Sequence, residues 1–125
     1  MTTPVYEVVA LRSATRLPAE AQGTIMQVAV DRWLVLRQGP LSLSEADFAV
    51  TEVTGKWLEV HLTDPPKVLA NTVDIDELLT GRDCARTTLF DCPAIIQKLD
   101  GGYAIWIERS YEYAFNIAVQ QAASL

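Results

Sequence analysis

PAIIQKLDGGYAIWIER, the stretch at residues 93–109, decides the fold of this chain. Two runs rich in β-branched and aromatic residues flank the DGG sequence at 100–102, where glycine gives a tight turn the backbone freedom it needs. The pattern predicts a β-hairpin made of residues 94–99 and 103–109. Both faces of 103–107 are largely apolar, which favours a central or covered strand.

A C-terminal helix is predicted to follow this hairpin. Ser110 can cap its first turn and the helix can continue through Ala123. Glu112 is then well placed near the positive end of the helix dipole. The predicted buried stripe consists of Tyr111, Ala114, Phe115, Ala118 and Ala122.

A short capped helix is predicted near residues 74–80, within the sequence VDIDELLTG. The Asp74 carboxylate can accept from the amide of Glu77, and the Glu77 carboxylate can reach back to the amide of Asp74. Gly81 supplies the left-handed residue that ends such a helix. The polar residues 82–92 that follow are predicted to be a connection.

The first half of the chain is predicted to be mostly strands. Residues 5–11 have strand composition, and residues 13–23 predict a loop or a short helical turn. Residues 23–38 fit either one amphipathic helix or two strands that turn near residues 31–32. We favour the strands, because they use the valines and isoleucine better.

A further hairpin is predicted over residues 48–62, with residues 54–56 as its loop. This register gathers Phe48 and other apolar side chains on one face, which would be the buried one. Trp57 then lies on the outward face, together with Glu59 and His61.

The opening of the chain resembles a known family of small β modules. YEVVAL at residues 6–11, a loop, and GTIMQV at 23–28 are similar to the first two strands of SH3-like barrel modules. The resemblance covers residues 5–38 and implies a β-rich start. It carries over no catalytic residue.

Composition indicates one globular domain spanning residues 1–125. Half of the residues are apolar and 21% are charged, which argues against disorder. The net charge is −6, from 16 acidic and 10 basic side chains, and the basic ones are scattered. Nucleic acid is therefore not expected as a partner. The acidic charge favours solubility, and it would also allow a basic protein partner.

Targeting and redox signals point to the cytoplasm. No run of about 18 apolar residues predicts a membrane span, and the first residues lack the pattern of a secretory signal. Cys84 and Cys92 are the only cysteines and are expected to be ordinary buried thiols. Neither a zinc set nor a cofactor motif is expected from this sequence.

Candidate chemistry rests on few side chains. His61 is the only histidine. Glu59, two residues away on a strand, would point to the same side, so the two could form an acid–base pair. A surface histidine without such a role is the simpler interpretation. Asp74, Asp76 and Glu77 form an acidic cluster that helix capping explains better than a divalent cation.

These features predict an α+β fold in which an antiparallel sheet of successive hairpins packs against the C-terminal helix. The predicted function is that of a small acidic, non-enzymatic protein that binds another protein as an inhibitor, an immunity-type protein or a regulatory subunit. Trp57 and Tyr113 are predicted as aromatic anchors because each falls opposite a predicted buried face. The full set of predicted contact residues is Trp57, Glu59, His61, Asp74, Asp76, Glu77 and Tyr113.

Two alternatives remain open from the sequence. One is a small-molecule-binding domain, or an enzyme, whose pocket is assembled from distant residues such as His61, Glu59, Tyr103 and Arg109. The other is a homodimer that buries an apolar face between two copies.

Overall fold

A computed structural model describes residues 3–12, 16–18 and 21–123 of the chain. The chain divides into two compact units, Met1–Gly55 and Lys56–Leu125. Over the described residues, the strands form two four-stranded antiparallel sheets and a helix lies near the C-terminus. The predicted α+β class is therefore confirmed, with two sheets, while the single-domain interpretation stays a prediction.

The first unit is a sheet of four strands. They are β1 (Val5–Ala10), β2 (Thr24–Ala29), β3 (Arg32–Leu36) and β4 (Phe48–Glu52), in the spatial order β2-β3-β1-β4. The antiparallel pairing of β2 with β3 confirms the two-strand interpretation of residues 23–38. Parts of the predicted loop that precedes β2, residues 13–15 and 19–20, lie outside the described residues.

One face of this sheet carries the core of the first unit. Val8 pairs with Trp33, and Tyr6 pairs with Val35, so these four side chains share a face. The Trp33 ring meets the Phe48 ring edge to face, with centroids 6.3 Å apart. These five side chains are buried together, which is the period-2 burial that β-branched and aromatic residues favour.

Gly23, directly before β2, has no room for a side chain. Its φ is +136°, and a Cβ built on it would lie 2.3 Å from the carbonyl oxygen of Leu36. Gly39 also has a positive φ, +83°, but a Cβ built on it would have no atom within 4 Å. Gly23 is therefore required both for its backbone angle and for the close approach to β3.

We expect Gly23→Ala to destabilise the protein by about 1–3 kcal/mol, because a clash with backbone adds to an unfavourable φ. Urea unfolding measures the change. Gly39→Ala is the matched control, since it carries the φ penalty without the clash. Equal losses in the two variants would show that the approach to Leu36 does not matter.

The second unit is also built on a four-stranded sheet. Its strands are β5 (Trp57–Val60), β6 (Cys84–Leu89), β7 (Cys92–Leu99) and β8 (Gly102–Glu108), in the spatial order β5-β8-β7-β6. The register of β7 with β8 runs from Ala94 opposite Ile107 to Leu99 opposite Gly102. The hairpin predicted at 93–109 is thus confirmed, and β8 is a central strand.

The predicted hairpin over residues 48–62 is wrong. β4 pairs with β1, and β5 pairs with β8. The Thr54 hydroxyl accepts from the amide of Val5 at 3.0 Å, while the Lys56 carbonyl accepts from the amide of Arg109 at 2.7 Å. The chain is thus anchored to a different sheet on each side of residue 55. Alternation of apolar residues identifies strands but not their neighbours, which is why the sequence suggested the wrong pair.

The prediction of a connection over 82–92 is wrong from residue 84 onward, because residues 84–89 form β6, residues 90–91 form the tight turn to β7, and residue 92 begins β7. Phe90 and Asp91 make the turn with φ of 50° and 64°. Both angles are in the left-handed region, where glycine or asparagine is the usual signal. The Phe90 amide donates to the Thr72 hydroxyl at 2.8 Å, which holds the turn without such a signal.

The described part of the second unit contains three helices. They are α1 (Pro65–Val68), α2 (Ile75–Leu78) and α3 (Glu112–Ala123), and a single 3₁₀ turn, Arg109–Tyr111, leads into α3. α2 and α3 confirm the two predicted helices. α1 was not predicted; it begins with two prolines, which are well suited to the first turn of a helix.

The helices pack on one face of the second sheet and form a single apolar core with it. Leu69, which directly follows α1, lies in that core together with Ile75 of α2 and Phe115 of α3. The sheet contributes alternate residues of β6, β7 and β8, namely Ala85, Leu89, Cys92, Ala94, Ile96, Ile105 and Ile107. We call the outer side of α1, α2 and α3 the helix layer.

The buried stripe of α3 is partly as predicted. Phe115 is fully buried, with Ala118 and Ala122 half-buried beside it. Tyr111 and Ala114 are exposed, so their assignment to the stripe is wrong. Tyr111 lies in the 3₁₀ turn and is out of phase with the helix, whereas Ala114 is rotated about 100° from Phe115. No helix among the described residues is long and apolar enough to cross a membrane.

Candidate functional site

All of the predicted contact residues fall within the second unit, but they do not form one surface. Trp57 and Glu59 are on β5, and His61 follows that strand. Asp74 caps α2, which contains Asp76 and Glu77, and Tyr113 is on α3.

Trp57 is only 5% exposed, so the prediction of an exposed aromatic anchor at this position is wrong. The error follows from the incorrect hairpin. In the real sheet Trp57 points to the same side as Trp106 and Ile95, and this side is apolar too. The Arg86 guanidinium carbon lies 5.8 Å from the centroid of the Trp57 ring, an attractive cation–π contact. Trp57 therefore acts in packing.

Two tryptophans of this sheet have buried indole N–H groups. The Nε1 atoms of Trp57 and Trp106 find no hydrogen-bond partner among the described residues. An unpaired buried donor costs about 1–3 kcal/mol. Both side chains consequently stabilise the unit through the apolar area that they bury rather than through hydrogen bonds of their indole nitrogens.

Glu59 and His61 lie close together at the surface, as the sequence predicted. The Nε2 atom of His61 is 3.7 Å from Oε1 of Glu59, and the histidine side chain is 88% exposed. A contact this open to water contributes little to stability. Tyr103 packs against the core on the helix side of the sheet, while Glu59 is on the other side. The structure therefore does not bring Tyr103 to this pair.

The acidic residues of α2 have distinct positions. The Asp74 carboxylate accepts from the Glu77 amide at 3.3 Å, which is one of the two bonds of the predicted capping box. Asp76 and Glu77 are exposed in the first turn of the helix. Over the described residues, no group of three or more histidine, cysteine or acidic side chains is arranged to hold a metal ion. The two exposed carboxylates are thus available to contact a partner.

Tyr113 is 80% exposed, so the predicted exposure of this aromatic residue is confirmed. Ile117 lies one helical turn further on and is 38% exposed. The exposure of Ile117 was not predicted. The signal that could have identified it is the apolar i, i+4 pair that lies off the buried stripe of Phe115.

Charge is unevenly distributed along the chain. Residues 56–125 contain ten acidic and six basic side chains, which accounts for −4 of the total charge of −6. Residues 61–81 and 109–123, which contain the three helices, carry five acidic and two basic side chains. The helix layer is therefore acidic, with two apolar side chains exposed on α3.

The two cysteines are buried thiols that form no disulfide. Burial is the main cause that raises the pKa of Cys84, with Asp83 adding to it and Arg82 opposing it. Burial and then Asp91 raise the pKa of Cys92. Because the thiolate is the reactive form, both cysteines are poor nucleophiles in the folded protein.

We expect iodoacetamide to alkylate both thiols at pH 8 at least ~10-fold more slowly in the folded than in the urea-unfolded chain. The raised pKa values also predict a pH effect on stability. The contribution of the protonated thiols to the free energy of unfolding is complete below the unfolded pKa of about 8.5. It is lost as pH rises through the pKa values of the folded state, since the unfolded chain releases its thiol protons first. Single Cys84→Ser and Cys92→Ser variants assign each rate; equal rates in both states would contradict the prediction.

No protein-family model matches the chain, and no match was found among curated proteins. The resemblance of residues 5–38 to SH3-like modules therefore stays a prediction.

Proposed function

We propose that this chain is a non-enzymatic protein that binds a basic protein partner through its helix layer, as an inhibitor, an immunity-type protein or a regulatory subunit. The observation that carries the proposal is the exposure of Tyr113 on a helix layer that is otherwise acidic. Tyrosine is among the side chains that contribute most to protein interfaces, since it offers a large apolar ring and a polar tip.

Charge supports a basic partner. Asp76 and Glu77 are exposed at the start of α2, and the excess of acidic over basic side chains is concentrated in this unit. Complementary charge speeds the encounter of two proteins and disfavours wrong partners. The same charge repels nucleic acid and anionic membrane surfaces, so neither is proposed as a partner.

Binding explains the exposed side chains better than catalysis does. The Glu59–His61 pair is open to solvent, and Tyr103 is on the other side of the sheet. Both thiols have raised pKa values, which makes them unsuited to nucleophilic attack. The exposed Tyr113 and the carboxylates of α2 need no further group in order to contact a protein.

We expect the double substitution Asp76→Lys and Glu77→Lys to abolish partner binding, because it reverses the charge that attracts the partner. The experiment is capture from native lysate by the tagged full chain at low and moderate salt, read by mass spectrometry. Asp74 is left unchanged, so that the bond that caps α2 is kept.

The matched control is the pair Asp31→Lys and Glu45→Lys, which changes the net charge equally at exposed positions of the first unit. A basic protein captured by the wild type and by the control, but lost with salt and with the α2 variant, agrees with the proposal. Equal capture by both variants, or no specific partner at either salt concentration, contradicts it.

A further inference from the structure

The core of the first unit is covered in part by a segment that is neither helix nor strand. Leu41 and Leu43, in the connection between β3 and β4, pack against the buried side chains of the first sheet. We call residues 38–44 of this connection the strap. The buried side chains beneath it, which we call the aromatic cluster, are those of Tyr6, Val8, Trp33, Val35 and Phe48.

The strap lies on the aromatic cluster as an extended segment. Its two leucines are half-buried, whereas Ser42 between them and Ser44 after them are exposed. This alternation is that of an extended chain with one side turned inward. Residues 38–44 contain no charged side chain, so the strap offers the cluster two aliphatic side chains at positions i and i+2.

Few polar contacts hold the strap in place. Among the described residues, no backbone amide of residues 38–46 donates to a backbone carbonyl. The Tyr6 hydroxyl donates to the Gly39 carbonyl at 3.0 Å, which ties one end of the strap to β1. Segments with few hydrogen bonds and half-exposed apolar contacts open at a lower free energy than the paired strands beside them. The strap can therefore open while the sheet stays folded.

Both ends of the strap allow such a movement. The backbone of Gly39 has room to rotate, because a Cβ built on it would have no atom within 4 Å. At the other end, the Ser44 carbonyl accepts from the amides of Asp47 and Phe48, which fixes the chain where it enters β4. The strap thus moves between two fixed points while β3 and β4 keep their pairing with β1.

The strap itself defines what the uncovered cluster would bind. Opening exposes the Trp33 and Phe48 rings, which meet edge to face, and leaves the Tyr6 hydroxyl without its acceptor. In the closed form these groups are satisfied by two aliphatic side chains and one backbone carbonyl of an extended, uncharged chain. A segment of another protein with the same features would satisfy the same groups. The strap and such a segment compete for one surface.

We propose that the strap is a displaceable cover, and that the aromatic cluster beneath it binds an extended, uncharged segment of a partner protein with aliphatic side chains at positions i and i+2. A ligand that fits only the open form makes that minor form the dominant one. The strap weakens binding in proportion to the fraction of molecules that are closed. This site is in the first unit, so it goes beyond the proposed function and does not depend on the helix layer.

The experiment uses a capped synthetic peptide of residues 38–44 as the probe, titrated into the isotope-labelled full chain and followed by nitrogen–proton NMR. The indole N–H signal of Trp33 should shift, because Trp33 belongs to the aromatic cluster. The signals of Trp57 and Trp106, which are on strands of the second sheet, are controls in the same spectrum. A peptide with serine in place of both leucines should cause no shift.

Variants of the strap test the competition. We expect Leu41→Ser together with Leu43→Ser to lower the half-saturating peptide concentration at least ~10-fold relative to the wild type, and Leu41→Ser alone about 3-fold, because both raise the open fraction. Ser42→Ala, on the exposed side of the strap, is the matched control and should bind like the wild type. Where the double variant lacks the spectrum of a folded chain, the single variant decides.

Three results would overturn the proposal. One is a half-saturating concentration that is the same in the wild type and in the strap variants. Another is the absence of a Trp33 shift in every folded variant, or an equal shift with the serine peptide. The third is loss of folding in Leu41→Ser itself, which would make the strap a permanent part of the core. None of these results bears on the helix layer, which the Asp76 and Glu77 reversals test separately.

Discussion

Phe115→Ala is expected to lower the free energy of unfolding of the second unit by about 3–5 kcal/mol. The Phe115 side chain is fully buried, and its ring meets the Phe90 ring edge to face with centroids 6.0 Å apart. Phe115 is also the only residue of α3 that is completely buried among those described. Its truncation leaves a cavity and removes the principal contact that holds α3 on the sheet.

Urea unfolding followed by circular dichroism measures this loss. Tyr113→Ala, two residues away on the exposed side of the same helix, is the matched control and should change the stability by no more than about 0.5 kcal/mol. A loss of less than about 1 kcal/mol in Phe115→Ala would show that α3 does not depend on this contact.

Trp33→Ala is expected to have an effect of similar size in the first unit, about 3–5 kcal/mol. The Trp33 side chain is buried opposite Val8 of β1 and meets the Phe48 ring edge to face. Three strands thus lose a shared contact when the indole is removed. Ile25→Ala, at an exposed position of β2, is the control, and equal losses in the two variants would contradict the expectation.

Together these variants also test the prediction that residues 1–125 form a single domain. A single domain unfolds in one cooperative transition, so Phe115→Ala and Trp33→Ala should both shift the same midpoint. Two separate transitions, each sensitive to one variant only, would overturn that prediction.

Local signals in the sequence were sufficient for several elements. The hairpin at 93–109 joins two adjacent strands through a glycine-containing turn, and α2 has its cap and its terminator within nine residues. In both cases the decisive contacts are between residues close in sequence. The pairing of β5 with β8 was not predictable in this way, because it joins residues about 50 positions apart.

The missed elements lacked their usual signals for physical reasons. The β6–β7 turn uses Phe90 and Asp91 in place of glycine, and tertiary contacts to Thr72 and Phe115 stabilise it. No pattern within residues 82–92 records those contacts. α1 begins with two prolines, which mark the start of a helix and the end of a strand equally well.

The candidate site was predictable only in part. The exposure of Tyr113 was predictable because helical periodicity depends only on the sequence of α3 itself and not on tertiary contacts. The position of Trp57 depended on which strand β5 pairs with, so the wrong hairpin placed the tryptophan outside. The exposure of Ile117 was not predicted, because an apolar residue in an amphipathic helix is normally part of the stripe that faces the core.

The strand pairing has a consequence for synthesis on the ribosome. Every sheet pairing among the described residues joins strands within 5–52 or within 57–108, and none joins the two groups. The first sheet can therefore complete its hydrogen bonding while the remainder of the chain is still being translated. β5, in contrast, leaves the ribosome long before β8 and must wait for it with an unpaired edge. The interval between β5 and β8 is the stage at which the nascent chain is most exposed to aggregation.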